Sequence, residues 1–232
     1  MKLLTTANTK IKKGEKLGFM TFGIHLAPAK LSGFNTCPSA SEGCAAACLN
    51  TAGMGVYSTV QSARIAKTLL FFKERDSFMS QLVKEITAAI KKAVKNEMIP
   101  CFRLNLTSDL AWEKIRHNGQ TIFELFPDVQ FYDYTKVYSR MASFLAGELP
   151  KNYHLTFSRA ESNELATSAI LASGGNVAAV FRGALPASWS GKAVVSGDES
   201  DLRFKDPQGV IVGLVEKGKA KKDTSGFVLE PQ

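Results

Sequence analysis

The sequence predicts an α/β protein built on a parallel sheet, and three observations carry that prediction. Short apolar and β-branched runs recur after position 99: IPCFRLNL (99–106), QFYDYT (130–135), YHLTFS (153–158), NVAAVF (176–181), KAVVSG (192–197) and GVIVGLVE (209–216) all read as strands. Between the first four lie intervals long enough for a helix, and this alternation builds parallel βαβ units rather than an antiparallel sandwich. Within the strands side chains alternate, Phe102, Leu104 and Leu106 against Arg103 and Asn105, and Tyr153, Leu155 and Phe157 against His154, Thr156 and Ser158. If helices cover the apolar face, the polar face looks into a barrel interior that suits a substrate chamber.

In chain order, residues 1–18 form a polar, lysine-rich segment, and FMTFGIHLA (19–27) is a first strand stopped by Pro28. The loop NTCPSASEGCAAACLN follows. STVQSARIAKTLLFFK (58–73) carries Val60, Ala63, Ile65, Leu69 and Phe72 at helical spacing, and Ser77 is placed to N-cap a second helix with Phe78, Leu82, Ile86 and Ile90 on one face. Further helical intervals fall at Leu110–Ile115, Ser139–Leu149 and Glu161–Ser173, and residues 217–232 form a basic tail. With no internal repeat and no low-complexity linker, residues 1–232 read as a single domain.

A chain of 232 residues, 45% hydrophobic and 22% charged, can build a sizeable core without disulfides. No apolar run approaches the roughly 18 residues of a membrane span, and the N-terminal apolar run is too short for a signal peptide. The expected location is the cytoplasm, where clustered cysteines mean metal binding or redox chemistry more often than cross-links. The net charge of +8 suits a polyanion such as nucleic acid, but the lysines are dispersed. Their densest run, Lys217 to Lys222, reads either as a phosphate binder or as a solvated loop.

The chemistry concentrates in Cys37, Cys44 and Cys48, spaced C-x6-C-x3-C. Three thiolates can hold three irons of a [4Fe–4S] cluster and leave the fourth open to a small molecule. Zinc is the alternative metal, its site completed by His25 or Cys101, and cysteines without metal are the third reading. The small residues between them, Ser39 to Ser41, Gly43 and Ala45 to Ala47, let the chain wrap closely. Polar groups also recur where strands end, and in parallel α/β architectures that edge holds the active site. Asp109, Asp133 and Asp198 are the catalytic candidates there, and Asn105, Ser108, Thr135 and Ser158 the cofactor-binding ones. Lys136 is placed to meet a substrate anion, and TAGMG (51–55) lacks the lysine and spacing of a P-loop.

A first strand, a three-cysteine loop and repeated βα units resemble the partial (βα)6 barrel of radical S-adenosylmethionine enzymes. That resemblance implies Cys37, Cys44 and Cys48 as cluster ligands and S-adenosylmethionine on the open iron. Their usual spacing is C-x3-C-x2-C, and where their glycine-glycine-glutamate motif falls this chain has LTSD, offering Ser108 and Asp109. More specifically, TCPSASEGCAAAC, RLNLTSDLAWE, FYDYTK, NYHLTFS and VVSGDESDLRFKDPQGVIVGLVEKG resemble a bacteriophage family known by its gene-product number, eighty-eight, which brings no established activity and implies the host cytoplasm. The combined expectation is an iron–sulfur enzyme acting on a small molecule or nucleotide. The competing expectation is a nucleic-acid-binding or interaction module with a structural metal.

Overall fold

The computed structural model describes residues 1–231. In chain order the elements are β1 (Leu4–Thr5), α1 (Thr9–Lys12), β2 (Phe19–Ile24), α2 (Glu42–Ala46), α3 (Ser58–Lys73), α4 (Arg75–Lys95), β3 (Ile99–Arg103), β4 (Arg116–His117), β5 (Gln120–Thr121), α5 (Ile122–Leu125), β6 (Gln130–Thr135), α6 (Tyr138–Leu145), β7 (Tyr153–Ser158), α7 (Glu164–Ala172), β8 (Val177–Phe181), β9 (Ser188–Trp189), β10 (Lys192–Ser196), β11 (Ile211–Val215) and β12 (Val228–Leu229), with short 3₁₀ turns between some of them. One large sheet has the order β1-β2-β3-β6-β7-β8-β11-β10-β9, with β12 also beside β8. From β2 to β10 every neighbouring pair is parallel, and β1 and β9 flank the two ends antiparallel. The expected α/β class holds. The sheet stays open, however, with β1 and β9 at opposite ends and no barrel closed.

The alternation read from the sequence places the core. Phe102, Leu104, Phe131, Tyr153, Leu155 and Phe157 pack on one face against α4, which buries Phe78, Leu82 and Ile86. That stripe is the expected one, but α4 begins at Arg75, two residues before Ser77. For α3 the helix is as expected and its buried face is not: Arg64, Thr68 and Phe71 point inward, whereas Ala63 is exposed and Val60, Ile65, Leu69 and Phe72 are only partly buried. An apolar pattern cannot register a face that begins with arginine and threonine. The 110–115 interval forms only a 3₁₀ turn at Trp112–Lys114, followed by a β4–β5 hairpin turning at Asn118 and Gly119, both with positive φ.

The opposite face was expected to line a chamber and is instead filled by the chain itself. The N-terminal segment lies over it, with Gly14 so close that a side chain there would press on Leu202 and the Phe19 carbonyl, and the turn at 201–206 joins Phe19, Cys101 and Tyr132 through Leu202 and Phe204. Asp201, fully buried, pairs with Arg103 at 3.0 Å and Lys10 at 3.2 Å and accepts from the Tyr132 hydroxyl at 3.3 Å. Burial opposes its ionisation, but Arg103, Lys10 and Arg203 outweigh it and hold the carboxyl below its usual range. Residues 1–18 are thus an integral part of the fold, with Leu3, Leu4 and Ile11 buried.

The basic tail is integrated too. β7 ends at Ser158 opposite Ala178, leaving that edge of β8 unpaired further on, and β12 fills it by pairing Val228 with Val180 and Leu229 with Phe181. An unpaired strand edge inside a sheet is thereby satisfied.

Candidate functional site

The cysteine loop lies across the carboxyl edge of the parallel strands because its backbone is tied to three of them. Next to β2 and β3, Thr107 Oγ1 donates to Leu26 O at 2.6 Å and Asp109 N donates to Thr36 O at 2.8 Å. Beyond β7, Glu161 accepts from Ser41 Oγ and Gly43 N, each at 2.8 Å. Ser41 itself caps α2 by accepting from Cys44 N. A side chain at Gly43 would run into Ser225, Phe227 and Glu161, so the small residues of this loop serve close packing against the C-terminal segment. Cys44 packs there with Ala47, Ala160, Ala220, Phe227 and Val228.

All three loop cysteines are half-buried free thiols. Cys37 Sγ accepts from Ala29 N at 3.4 Å and lies 3.8 Å from Thr107 O; Cys48 Sγ accepts from Asn50 N at 3.5 Å. Burial raises the pKa of Cys37 and of Cys48, and negative charge on Cys44 raises both further. The three sulfurs therefore share one electrostatic neighbourhood, in which thiolates repel unless a cation joins them. Among the described residues no three His, Cys, Asp or Glu side chains stand close enough to hold a metal ion in the arrangement observed.

The surroundings are cationic. Arg64, on the inner face of α3, is only 7% exposed; it donates to Asn50 Oδ1 through Nη1 and leaves Nε without a partner. His25 Nδ1 lies 3.4 Å from Thr107 Oγ1, and burial first, then Arg64, Arg103 and Lys67, lowers its pKa to about 3. Cys101 lies elsewhere, in the sheet centre among Phe19, Tyr132 and Leu202 and 3.1 Å from Thr21 Oγ1. Burial pushes its thiol up to about 12.

The other sequence candidates separate into two groups. Asp109 and Asp133 belong to one buried network on the helix-covered side. Arg140 donates to Asp109 at 2.6 Å, to Glu113 at 2.7 Å and to the Tyr153 hydroxyl at 2.9 Å, and Tyr153 donates to Asp133 at 3.0 Å. Asp133 also accepts from Asn105 N and Nδ2, and burial raises its pKa to about 7. Asn105 Oδ1 takes Ser108 Oγ, Leu110 N and Trp112 Nε1, and Thr135 Oγ1 accepts from Val137 N and Arg140. These groups are engaged in bracing the strand ends. Asp198 is remote, at the β10–β11 end, held by Val215 N and Lys217.

Ser158 remains at the rim, where its Oγ accepts from Lys136 Nζ at 2.6 Å. Lys136 lines a cleft of about 680 Å³ with Ser39 to Ser41, Tyr138 and residues 161–166. Glu161 in this cleft is committed to the cysteine loop and Glu164 to Arg159 at 3.2 Å, whereas no carboxylate pairs with Lys136 among the described residues. Sequence reasoning found Lys136 but missed Arg64, Asn50 and Glu161. A guanidinium on the inner stripe of α3 was the one signal available.

The fold and site define a mixed α/β protein with a largely parallel sheet and a cysteine loop over its carboxyl edge. The family model for gene product 88 matches residues 2–231, so the chain belongs to the gene product 88 family. No curated protein and no solved structure matches it. Among the described residues no helix is long and apolar enough to cross a membrane.

Proposed function

We propose that this protein is an iron–sulfur enzyme in which Cys37, Cys44 and Cys48 hold a [4Fe–4S] cluster and the adjacent cleft takes an anionic small molecule or nucleotide. The observation that carries the reading is one loop with three half-buried free thiols, one of which, Cys48, is joined through Asn50 to the buried guanidinium of Arg64, which pairs with no carboxylate among the described residues. As they stand the three thiols do not form a metal-holding group among the described residues, so the loop would have to close around the cluster; a centre of positively charged irons would then relieve the thiolate repulsion. When bound, such a cluster supplies one-electron chemistry at its open iron.

Lys136 sets the substrate class. Its ammonium, oriented by Ser158 and 5.5 Å from the Phe227 ring centroid, favours a carboxylate or phosphate in the cleft. Because Lys10, Arg103, Asp201 and the turn at 201–206 occupy the far face of the sheet, substrate enters at the rim and not through a barrel interior. The one-way order of β2, β3, β6, β7 and β8 and the cysteine loop after β2 support S-adenosylmethionine as the molecule at the open iron, bound at the rim of an open sheet. Anaerobically reconstituted protein is expected to bind S-adenosylmethionine in equilibrium dialysis and to cleave it on reduction, with both lost in Cys44→Ala and binding weakened in Lys136→Ala. Cluster-loaded protein with no affinity for S-adenosylmethionine would remove this part of the proposal.

A second reading has its own observation. Lys219, Lys221 and Lys222 line a shallow depression with Thr51 at the end of the cysteine loop, which suits a nucleic-acid backbone beside a structural zinc. It requires affinity for single- or double-stranded nucleic acid that falls steeply with salt.

A further inference from the structure

The cleft beside the cysteine loop carries more than a cation. Its lining begins where β6 and β7 end, at Lys136 and Tyr138 after the first strand and at residues 161–166 after the second. Tyr138 opens α6 and Leu165 lies in the first turn of α7. Their side chains are 49% and 89% exposed, so the cleft offers an aromatic ring and a branched aliphatic group that the chain leaves uncovered.

Lys136 is held in place. Its backbone N–H donates to Asp109 at 2.8 Å and its ammonium to Ser158 Oγ at 2.6 Å, which fixes the residue at both ends. An ammonium carries three donors, and Ser158 takes one. No carboxylate pairs with it among the described residues. The two acidic residues of the cleft have other partners, Glu161 accepting from Ser41 and Gly43 and Glu164 pairing with Arg159.

One unpaired cation, two acidic neighbours and two uncovered apolar side chains together describe a ligand with a flat apolar body and a single anionic group. A sugar phosphate would leave Tyr138 and Leu165 unused. A polyphosphate would bring more negative charge than Lys136 answers and would set it against Glu161 and Glu164. The volume of about 680 Å³ lies in the range of clefts that hold small organic ligands.

We propose that the cleft binds a nucleoside monophosphate, with the phosphate on Lys136 and the base against Tyr138 and Leu165. The inference rests on the cleft being an anion site, as proposed, and not on the cysteine centre. Every base has a face that stacks on an aromatic ring, so the arrangement selects the class of ligand and not one base.

The test is calorimetric titration of full-length protein with the four ribonucleoside 5′-monophosphates, their nucleosides, ribose 5-phosphate, and ATP without divalent metal. The monophosphates are expected to bind about ten-fold or more tighter than ribose 5-phosphate, the contribution of one stacked base. They should exceed their nucleosides by about ten-fold, the contribution of a charge-assisted contact, and ATP should bind no more tightly than AMP. Tyr138→Ala is expected to bring the monophosphates down toward ribose 5-phosphate while leaving ribose 5-phosphate unchanged, and Leu165→Ala to do the same in smaller measure. Both side chains are exposed, so these variants keep the fold. Lys136→Gln should remove the advantage of each monophosphate over its nucleoside. Replacing Lys219, Lys221 and Lys222 together by glutamine is the control, because they line the separate basic depression, and should change none of these affinities. If none of the four monophosphates binds more tightly than ribose 5-phosphate, the nucleotide assignment falls and an anion cleft remains. Binding that survives Lys136→Gln and is lost in the triple lysine variant would overturn the assignment by moving the site to the depression. No affinity for any of these anions would overturn the anion reading of the cleft itself.

Discussion

The two polar regions of this protein treat buried charge in opposite ways. On the far face of the sheet Lys10 and Arg103 share the carboxylate of Asp201 at 3.0 to 3.2 Å, with the Tyr132 hydroxyl as a further donor, and Arg203 lies 3.2 Å from Asp206. At the carboxyl edge Arg64 is about as buried as Arg103, is joined through Asn50 to Cys48, and pairs with no carboxylate among the described residues. In the first region each arginine has a carboxylate partner, although Arg103 Nε and Arg203 Nε remain without hydrogen-bond partners. In the second the guanidinium has no carboxylate partner among the described residues, and the proposed cluster would answer it. Buried polarity alone does not mark a site; buried polarity left without a counter-charge does.

The largest effect that follows is on the cysteine edge. Cys44→Ser should abolish iron and sulfide retention while leaving urea-denaturation stability of the metal-free chain within about 1 kcal/mol of wild type, because Cys44 is only half-buried. The far face should behave in reverse. Asp201→Asn strands Arg103 and Lys10 and is expected to cost about 3–5 kcal/mol in the same denaturation, with iron content per folded chain unchanged. If Asp201→Asn also emptied the cluster, the two regions would not be separable.

A smaller effect is read from pH. The pKa of His25 is lowered to about 3 and that of His154 to about 4, both from 6.5 and first through burial, so the unfolded chain binds protons that the folded chain refuses. Their contribution is lost as pH falls below 6.5. Asp133 runs the other way: raised from 3.8 to about 7, it keeps a proton that the unfolded chain has released, and stability is lost as pH rises through that window. Asp133→Asn leaves the histidines unopposed and should steepen the rise of stability between about pH 5 and 6 by roughly 1.4 kcal/mol per pH unit. Unfolding free energies of wild type and variant at several pH values check this. The smallest effect is expected from Glu161→Ala, which removes the two hydrogen bonds holding Ser41 and Gly43. Its cost is about 1 kcal/mol, because both hydrogen bonds are only part-buried, and it is read as faster amide exchange over residues 41–47 and a modest fall in iron retention.

Much of the scaffold was legible from pattern. Period-two alternation gave the faces of β3 and β7, and the Phe78, Leu82 and Ile86 spacing gave the buried side of α4. What escaped was whatever depends on partners far along the chain. The polar sides of β3 and β7 read as chamber walls because Lys10 and Asp201, which fill that space, lie 93 residues before Arg103 and 98 after it. Residues 217–232 read only as a basic tail because Val228 and Leu229 gain their meaning from the β8 edge that β7 leaves open. The cysteines were evident at once from spacing, whereas Arg64 was hidden by the assumption that an inner helix stripe is apolar.

The central claim, that the carboxyl edge is completed by an iron–sulfur centre, is met most directly by iron, sulfide and zinc analysis of protein purified without oxygen, with an absorption spectrum of the same sample. The account predicts about four irons and four sulfides per chain, as a [4Fe–4S] centre requires, and no zinc. About one zinc per chain without iron would contradict it and leave a structural metal beside Lys219, Lys221 and Lys222 as the account to pursue.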